Sequence, residues 1–341
     1  MYYLLVFVPT LVVTVALSLG GWWLLLPPVV IFGVIPVIDH LVGLDPANGA
    51  SSPRWSALAT AFVPVHLVVV SVGLWRVAEW PLAEQMGGAV AIGFHGATAI
   101  AVAHELMHRA SPRSRLLADV LMSSCLYPHF SIEHVQGHHR RVGTADDPAT
   151  SRLGESLYAF LPRTLWGSLG SAWRIEAARG LPWWRNRMLG YGLVLGALLS
   201  LAAGLGVLLP LLVQGAVAVL LLETINYVEH YGLSRHVMDG RPERVRPEHS
   251  WNTAHRVSNG LLLNLARHSD HHAFPARSFP DLRHYDAVPQ MPTGYAGMVV
   301  LATVPPLWFR VMDPRVASWH QGRPDFAELP PGNGAGAPEL R

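Results

Sequence analysis

The chain has 341 residues, 51% hydrophobic and 14% charged, with a formal net charge of +2. So little polar side chain cannot cover a water-facing surface, which makes the bilayer the expected solvent, and so small a charge gives no footing for nucleic-acid binding. A single cysteine, Cys125, excludes a disulfide framework and any cysteine-built zinc or iron–sulfur site within the chain, leaving nitrogen and oxygen ligands for any metal.

Six segments approach the roughly 20 apolar residues needed to cross the hydrocarbon core: 2–19, 22–38, 56–76, 87–107, 189–208 and 209–230. The first, MYYLLVFVPTLVVTVALSL, has no basic leader and no A-x-A site, so it is expected to stay as a span rather than be cleaved. Gly20 and Gly21 separate the first two spans, and Gly204 to Pro210 is the only turn-like break in the 189–230 run, so both pairs are expected as tight hairpins. Trp22, Trp23 and Trp75 read as interface anchors. Segments 109–188 and 231–320 are too polar to span and carry most of the arginines, the only basic residue type besides histidine. The positive-inside rule then places both termini and these connections in the cytoplasm. The expected architecture is all-α: six transmembrane helices under a cytoplasmic helical cap, one domain over 1–320, with a disordered tail over 321–341 that is rich in Pro and Gly. No fixed-period repeat is present.

Half of the eighteen histidines fall into four short clusters. His104-Glu105-Leu106-Met107-His108 lies where the fourth span leaves the membrane, and residues four apart share a helix face. Alone it also matches the H-E-x-x-H helix of zinc metalloproteases. Glu133-His134-Val135-Gln136-Gly137-His138-His139 repeats the spacing. Asn226-Tyr227-Val228-Glu229-His230-Tyr231-Gly232 closes the sixth span, and His268-Ser269-Asp270-His271-His272 places imidazoles at i, i+3 and i+4. A lone interfacial histidine is ordinarily a hydrogen-bonding residue. Nine on one side of the bilayer, however, exceed the four ligands of a tetrahedral zinc and suit two metals of higher coordination, among zinc, copper, iron and nickel. Glu105, Glu133, Glu223, Glu229 and Asp270 stand close enough to orient ligand rings. Glu223 is an acid inside a span, a costly placement. Asp39, at the end of the second span, is open to either a structural or a metal-site reading.

These clusters, in this order on six spans, resemble the bacterial alkane 1-monooxygenases of the membrane desaturase and hydroxylase superfamily. The likeness extends through EHVQGHHRRVGTADDPATSRLGES, NYVEHYGL, SWNTAHRVSNGLLLNLARHSDHH and PTGYAGMVVLATVPPLWFRVMDP, over about residues 36–316. It implies a di-iron centre held by His104, His108, His134, His138, His139, His230, His268, His271 and His272. It also implies use of O2 to hydroxylate the terminal methyl of medium-chain alkanes, electrons from rubredoxin and its NADH-dependent reductase, and a bacterial inner-membrane location. Xylene-type hydroxylases and membrane acyl desaturases carry similar boxes and are the competing readings. An intramembrane zinc protease and a metal transporter are more distant ones, and the transporter is disfavoured because the histidines lie at one face. The chain lacks the paired C-x-x-C motifs of a rubredoxin, so the donor must be a separate protein.

Hydroxylating an unactivated methyl needs redox chemistry that no side chain supplies. The protein's share is to place an alkane whose only handle is burial, about 0.8 kcal/mol per CH2. The small residues Gly87, Gly88, Ala91, Gly93, Gly96, Ala97 and Ala99 of the fourth span either open a channel for it or allow close helix packing. Arg109, Arg113, Arg115, Arg140, Arg141 and Arg235 are candidate contacts for an acidic rubredoxin.

Overall fold

A computed structural model describes residues 2–49, 53–238 and 241–322; residues 323–341 of the expected tail lie outside that range. Six helices are long and apolar enough to cross a membrane: α1 (Tyr2–Leu19), α2 (Gly21–Val42), α3 (Trp55–Val77), α4 (Leu82–Met107), α8 (Arg187–Gly204) and α9 (Leu208–His230). Between α4 and α8 stand α5 (Pro112–Ser124), the continuous helical segment α6 (130–141) and α7 (Leu157–Ala178). After α9 come α10 (Arg256–Leu261), α11 (His268–Ala273), α12 (Tyr295–Ala302) and α13 (Pro305–Gln321). Strand structure among the described residues is one two-residue pair, β1 (Val237–Met238) with β2 (Arg241–Pro242).

The α1–α2 hairpin turns on Gly20 and Gly21, at φ 65° and 54°, a region in which side chains beyond glycine are strained. Two spans run past their expected limits. Helix α4 starts at Leu82 because Gln85 turns its amide onto the carbonyls of Ala78 and Trp80, at 3.1 and 2.9 Å, closing the preceding turn. Helix α2 continues to Val42, and Asp39 is buried in it. The Asp39 carboxylate accepts from the backbone N–H groups of Val257 and Ser258, at 2.9 and 3.1 Å, and from the Ser258 hydroxyl. It supplies the N-terminal cap that α10 lacks in its own sequence, so its role is structural.

Helix α4 is the hub of the bundle, and its glycines explain how. A Cβ on Gly93 would lie 2.5 Å from Val217 Cβ, and one on Gly96 would lie 2.9 Å from Ala218 Cβ, so α9 approaches α4 at backbone distance. Gly88 faces Val77 in the same way. These positions serve close packing. Ala97, on the same helix, is different: it borders open space.

Candidate metal centre

The four clusters converge. His104 lies in the last turn of α4 and His108 caps it; His230 ends α9; His134, His138 and His139 stand on α6; His268, His271 and His272 stand on α11. Segment α6 is wound as a π helix over Glu133–His138, an arrangement frequent at functional sites, and it leaves Gly137 pressed against Glu133 and Arg141, where a Cβ would meet side-chain atoms at 2.5 Å.

All nine histidines fall into two groups. His104, His108, His134, His139 and His271 form one, and His138, His230, His268 and His272 the other; within each, the ligand atoms lie within 4.8 Å of one another. In the first group Nε2 atoms approach at 3.1 Å (His108–His134), 3.0 Å (His134–His139) and 3.1 Å (His139–His271). In the second they approach at 3.2 Å (His138–His272), 2.9 Å (His272–His268) and 3.2 Å (His268–His230). Nitrogens bound at about 2.1 Å to one ion lie about 3.0 Å apart at right angles and about 3.4 Å apart at the tetrahedral angle. The edges of the five-histidine group therefore match right-angle spacing, as in five or six coordination, while the two 3.2 Å edges of the four-histidine group fall between the two spacings. His104 Nε2 is buried with no hydrogen-bond partner, a cost that a bound cation removes. The donor set thus fits two borderline metal ions.

Burial keeps the rings ready. It holds His108 down at about 3, and, with the neighbouring imidazoles, lowers His134, His139, His268, His271 and His272 well below the ordinary value, so all are neutral and able to ligate. His138 is the exception. Burial lowers it, but the Asp147 carboxylate, 2.8 Å from its Nδ1, more than offsets that and raises it.

Asp147 is the residue that sequence reasoning missed. It holds His138 by its second ring nitrogen, which fixes the tautomer and turns Nε2 toward the other imidazoles of its group, and it is itself held by the Thr150 hydroxyl at 2.6 Å. Of the five acids singled out, four are engaged elsewhere: Glu105 with Arg109 and the Phe279 N–H, Glu133 with Arg141 and Ser171, Glu223 with Tyr127, Thr164 and Asn226, and Asp270 with Arg277, Tyr285 and the Arg283 N–H. Glu229 alone reaches a ligand atom, its Oε2 lying 3.1 Å from His268 Nε2 while Oε1 accepts from Tyr295 at 2.5 Å.

Residues 80–302 match the family model described as fatty acid desaturase. Alkane 1-monooxygenase 2 of Pseudomonas aeruginosa is 41% identical over 345 residues, covering 92% of this chain and 92% of that protein. The chain belongs to the alkane 1-monooxygenase family. The alkane 1-monooxygenase of Acinetobacter baylyi is 40% identical over 319 residues, 88% of this chain and 77% of that protein. The xylene/toluene monooxygenase hydroxylase component of Pseudomonas putida is more distant, 28% identical over 320 residues, with 89% and 85% covered.

Two openings serve the centre in this member of the alkane 1-monooxygenase family. An apolar cavity of about 90 Å³ lies among α2, α4, α9 and α12, walled by Phe32, Phe94, Ala97, Ile225 and Val299 among others. Ala97 and Ile225 also border a chamber of about 20 Å³ that touches His104, His134, His268 and Glu229. The two spaces thus share a wall, and the smaller one reaches both histidine groups. On the opposite side, a recess of about 680 Å³ bordered by Arg109, Arg115 and Arg187 reaches His108 and His139. Of the other arginines proposed for docking, Arg113 and Arg140 are exposed, whereas Arg141 bonds Glu133 and Arg235 bonds the carbonyls of Glu243 and Arg140.

Proposed function

We propose that this chain is a di-iron monooxygenase that hydroxylates the terminal methyl of medium-chain alkanes, R–CH3 + O2 + 2 e− + 2 H+ giving R–CH2OH + H2O. The observation that carries this reading is the meeting of nine imidazoles, in groups of five and four, around a small chamber that shares its Ala97 and Ile225 walls with an apolar cavity of the helical bundle. His104, His108, His134, His139 and His271 hold one iron, and His138, His230, His268 and His272 the other. When bound, the irons supply the oxygen activation and C–H cleavage that side chains cannot.

The chain's own residues do the rest. The walls around Ala97 and Ile225 hold the alkane by burial alone, about 0.8 kcal/mol per CH2, and exclude water from the reacting end. Asp147 keeps the Nδ1 proton of His138 and thereby its ring orientation. Glu229 brings a carboxylate beside His268 and over the chamber, where it supplies an oxygen donor and a place to hold a proton. Arg109, Arg115 and Arg187 border the recess next to His108 and His139, and a separate acidic donor, rubredoxin reduced by its NADH-dependent reductase, docks there. The concentration of arginines in the segments after α4 and α9 supports a bacterial inner-membrane protein with termini and metals on the cytoplasmic side, residues 1–320 acting as one membrane-embedded unit.

The test is product analysis with purified protein in lipid nanodiscs, given octane, rubredoxin, reductase and NADH. The expected result is 1-octanol, dependent on both O2 and NADH. Octenes would move the chain to the desaturases, and turnover of xylene but not octane would move it to the aromatic-methyl hydroxylases.

A further inference from the structure

Helix α7 carries large apolar residues on its outer face as well as its inner one, unlike a helix on a water-soluble cap. Its inner face buries Leu157, Phe160 and Ala172 at the core together with the polar Thr164, Ser168, Ser171 and Glu176. Thr164 donates to Glu223 at 2.8 Å, Ser171 to Glu133 at 3.3 Å, and Glu176 accepts from Arg179 and from the Arg187 N–H at 2.8 and 3.0 Å. Its outer face carries Tyr158, Trp166, Leu169 and Trp173, and Trp166 is 75% exposed. The turn that follows, Trp183–Arg185, exposes two further indoles, Trp183 and Trp184. Hydrogen-bonding residues paired inside and a run of indoles outside fit surroundings other than water.

Position identifies the surroundings. Asn186 caps the apolar helix α8, its side chain accepting from the N–H groups of Met188 and Leu189 at 2.9 and 3.3 Å, so the Trp183–Arg185 turn directly precedes a helix long and apolar enough to cross a membrane. The outer face of α8 presents Leu193 at 78% exposure. The Trp166, Leu169 and Trp173 face of α7 is continuous with it through a groove of about 690 Å³ floored by Tyr191 and Leu195 of α8. Arg174 lines the same groove, and Arg174 and Arg185 make no ion pair among the described residues. Indoles favour the headgroup level, and arginines favour phosphate.

We propose that α7 with the Trp183–Arg185 turn is a bilayer-docking surface that takes phospholipid: its indole face is sunk at the headgroup–acyl boundary, an acyl chain fills the α7–α8 groove, and Arg174 and Arg185 meet lipid phosphate. At 22 residues, about 33 Å of helix lies along the membrane surface on the metal-bearing side. The docking bears on the centre because the inner face of α7 bonds Glu133, next to His134, and Glu223. Lipid contact thus presses α7 onto the ligand-bearing π turn.

Site-directed spin labelling tests this directly. Trp166→Cys, Leu169→Cys and Trp173→Cys are labelled with a nitroxide in nanodiscs, Cys125 being buried, with Leu193→Cys as the lipid reference and Arg152→Cys on the exposed cap as the water reference. The expected ratio of oxygen to nickel-chelate accessibility at the three α7 sites is several-fold above that at 152 and approaches that at 193. A ratio equal to that at 152, or shielding from both reagents as under a protein partner, overturns the proposal. Trp166→Phe combined with Trp173→Phe, Trp183→Phe and Trp184→Phe gives a second reading that adds no cysteine. Quenching of tryptophan fluorescence by brominated phospholipid should fall clearly in that variant, and unchanged quenching is contrary to the proposal.

Discussion

The two histidine groups share a wall and a ligand type, yet their surroundings differ. In the five-histidine group, His108 and His139 are only half-buried and border the arginine-lined recess. In the four-histidine group every ring is buried, one is fixed by Asp147, and a carboxylate, Glu229, stands at the edge. The open group has a spare imidazole and a path to the outside. The closed group has no spare imidazole and no border on that recess, so it depends on internal hydrogen bonds for its geometry. Ligand chemistry alone does not distinguish two such centres; burial and second-layer partners do.

The sharpest way to break that comparison is to remove one ligand from each group. His268→Ala leaves three imidazoles in the closed group and should reduce octane turnover to background and metal content from two per chain toward one, as measured by plasma mass spectrometry. His108→Ala leaves four in the open group and should keep more of its metal. Equal losses would erase the distinction. Asp147→Asn keeps the ring but not the charge, and should weaken metal binding about 10–100-fold, seen as loss of one metal of the two on titration with a chelator. Ala97→Phe fills the passage beneath both groups. Displacing two methylenes from it costs about 1.6 kcal/mol, about tenfold in kcat/KM, with metal content unchanged. Arg115→Glu should raise the KM for reduced rubredoxin a few-fold at low ionic strength and lose that effect in high salt.

The metal-free protein offers a test through pH. His134, His139 and His271 have lowered values and His108 is held at about 3, whereas His138 is raised by Asp147. For a lowered histidine the unfolded chain binds the proton more readily, so stability is full above the ordinary value of 6.5 and is lost as pH falls. His138 has the opposite sign, and its contribution fades as pH rises. The lowered rings outnumber it, so thermal melts of the chelated protein should fall on acidification below about 6.5. A melting temperature that rises on acidification would contradict the burial assigned to the first group.

Much of this was legible in the sequence because the bilayer imposes strong patterns. Runs of about 20 apolar residues locate all six spans to within about five residues, the i, i+3 and i+4 spacing picks out eight of the histidines that meet, and the ninth, His230, stands out by closing the sixth span. The misses have a common physical cause. Asp147 sits in a loop, nine residues beyond the ring it holds, and no periodicity points to it. The glycines of α4 looked the same as Ala97 in sequence, yet Gly93 and Gly96 pack against α9 while Ala97 borders the cavity. His66 and His95, fully buried in α3 and α4 with ring centroids 4.9 Å apart, stand alone in their sequence neighbourhoods and gave no signal. The polar inner face of α7 was likewise hidden, because its partners Glu133 and Glu223 come from distant segments.

Two irons in the two histidine groups require a definite metal content. Protein purified from the membrane, reconstituted anaerobically with ferrous iron and freed of excess by gel filtration, is assayed for iron and zinc per chain and by Mössbauer spectroscopy. The account predicts two irons per chain in two nitrogen-rich environments, both lost on chelation together with 1-octanol formation. One tightly held zinc per chain, with no second site filled by iron, would contradict it and return the HELMH segment to the zinc-protease reading.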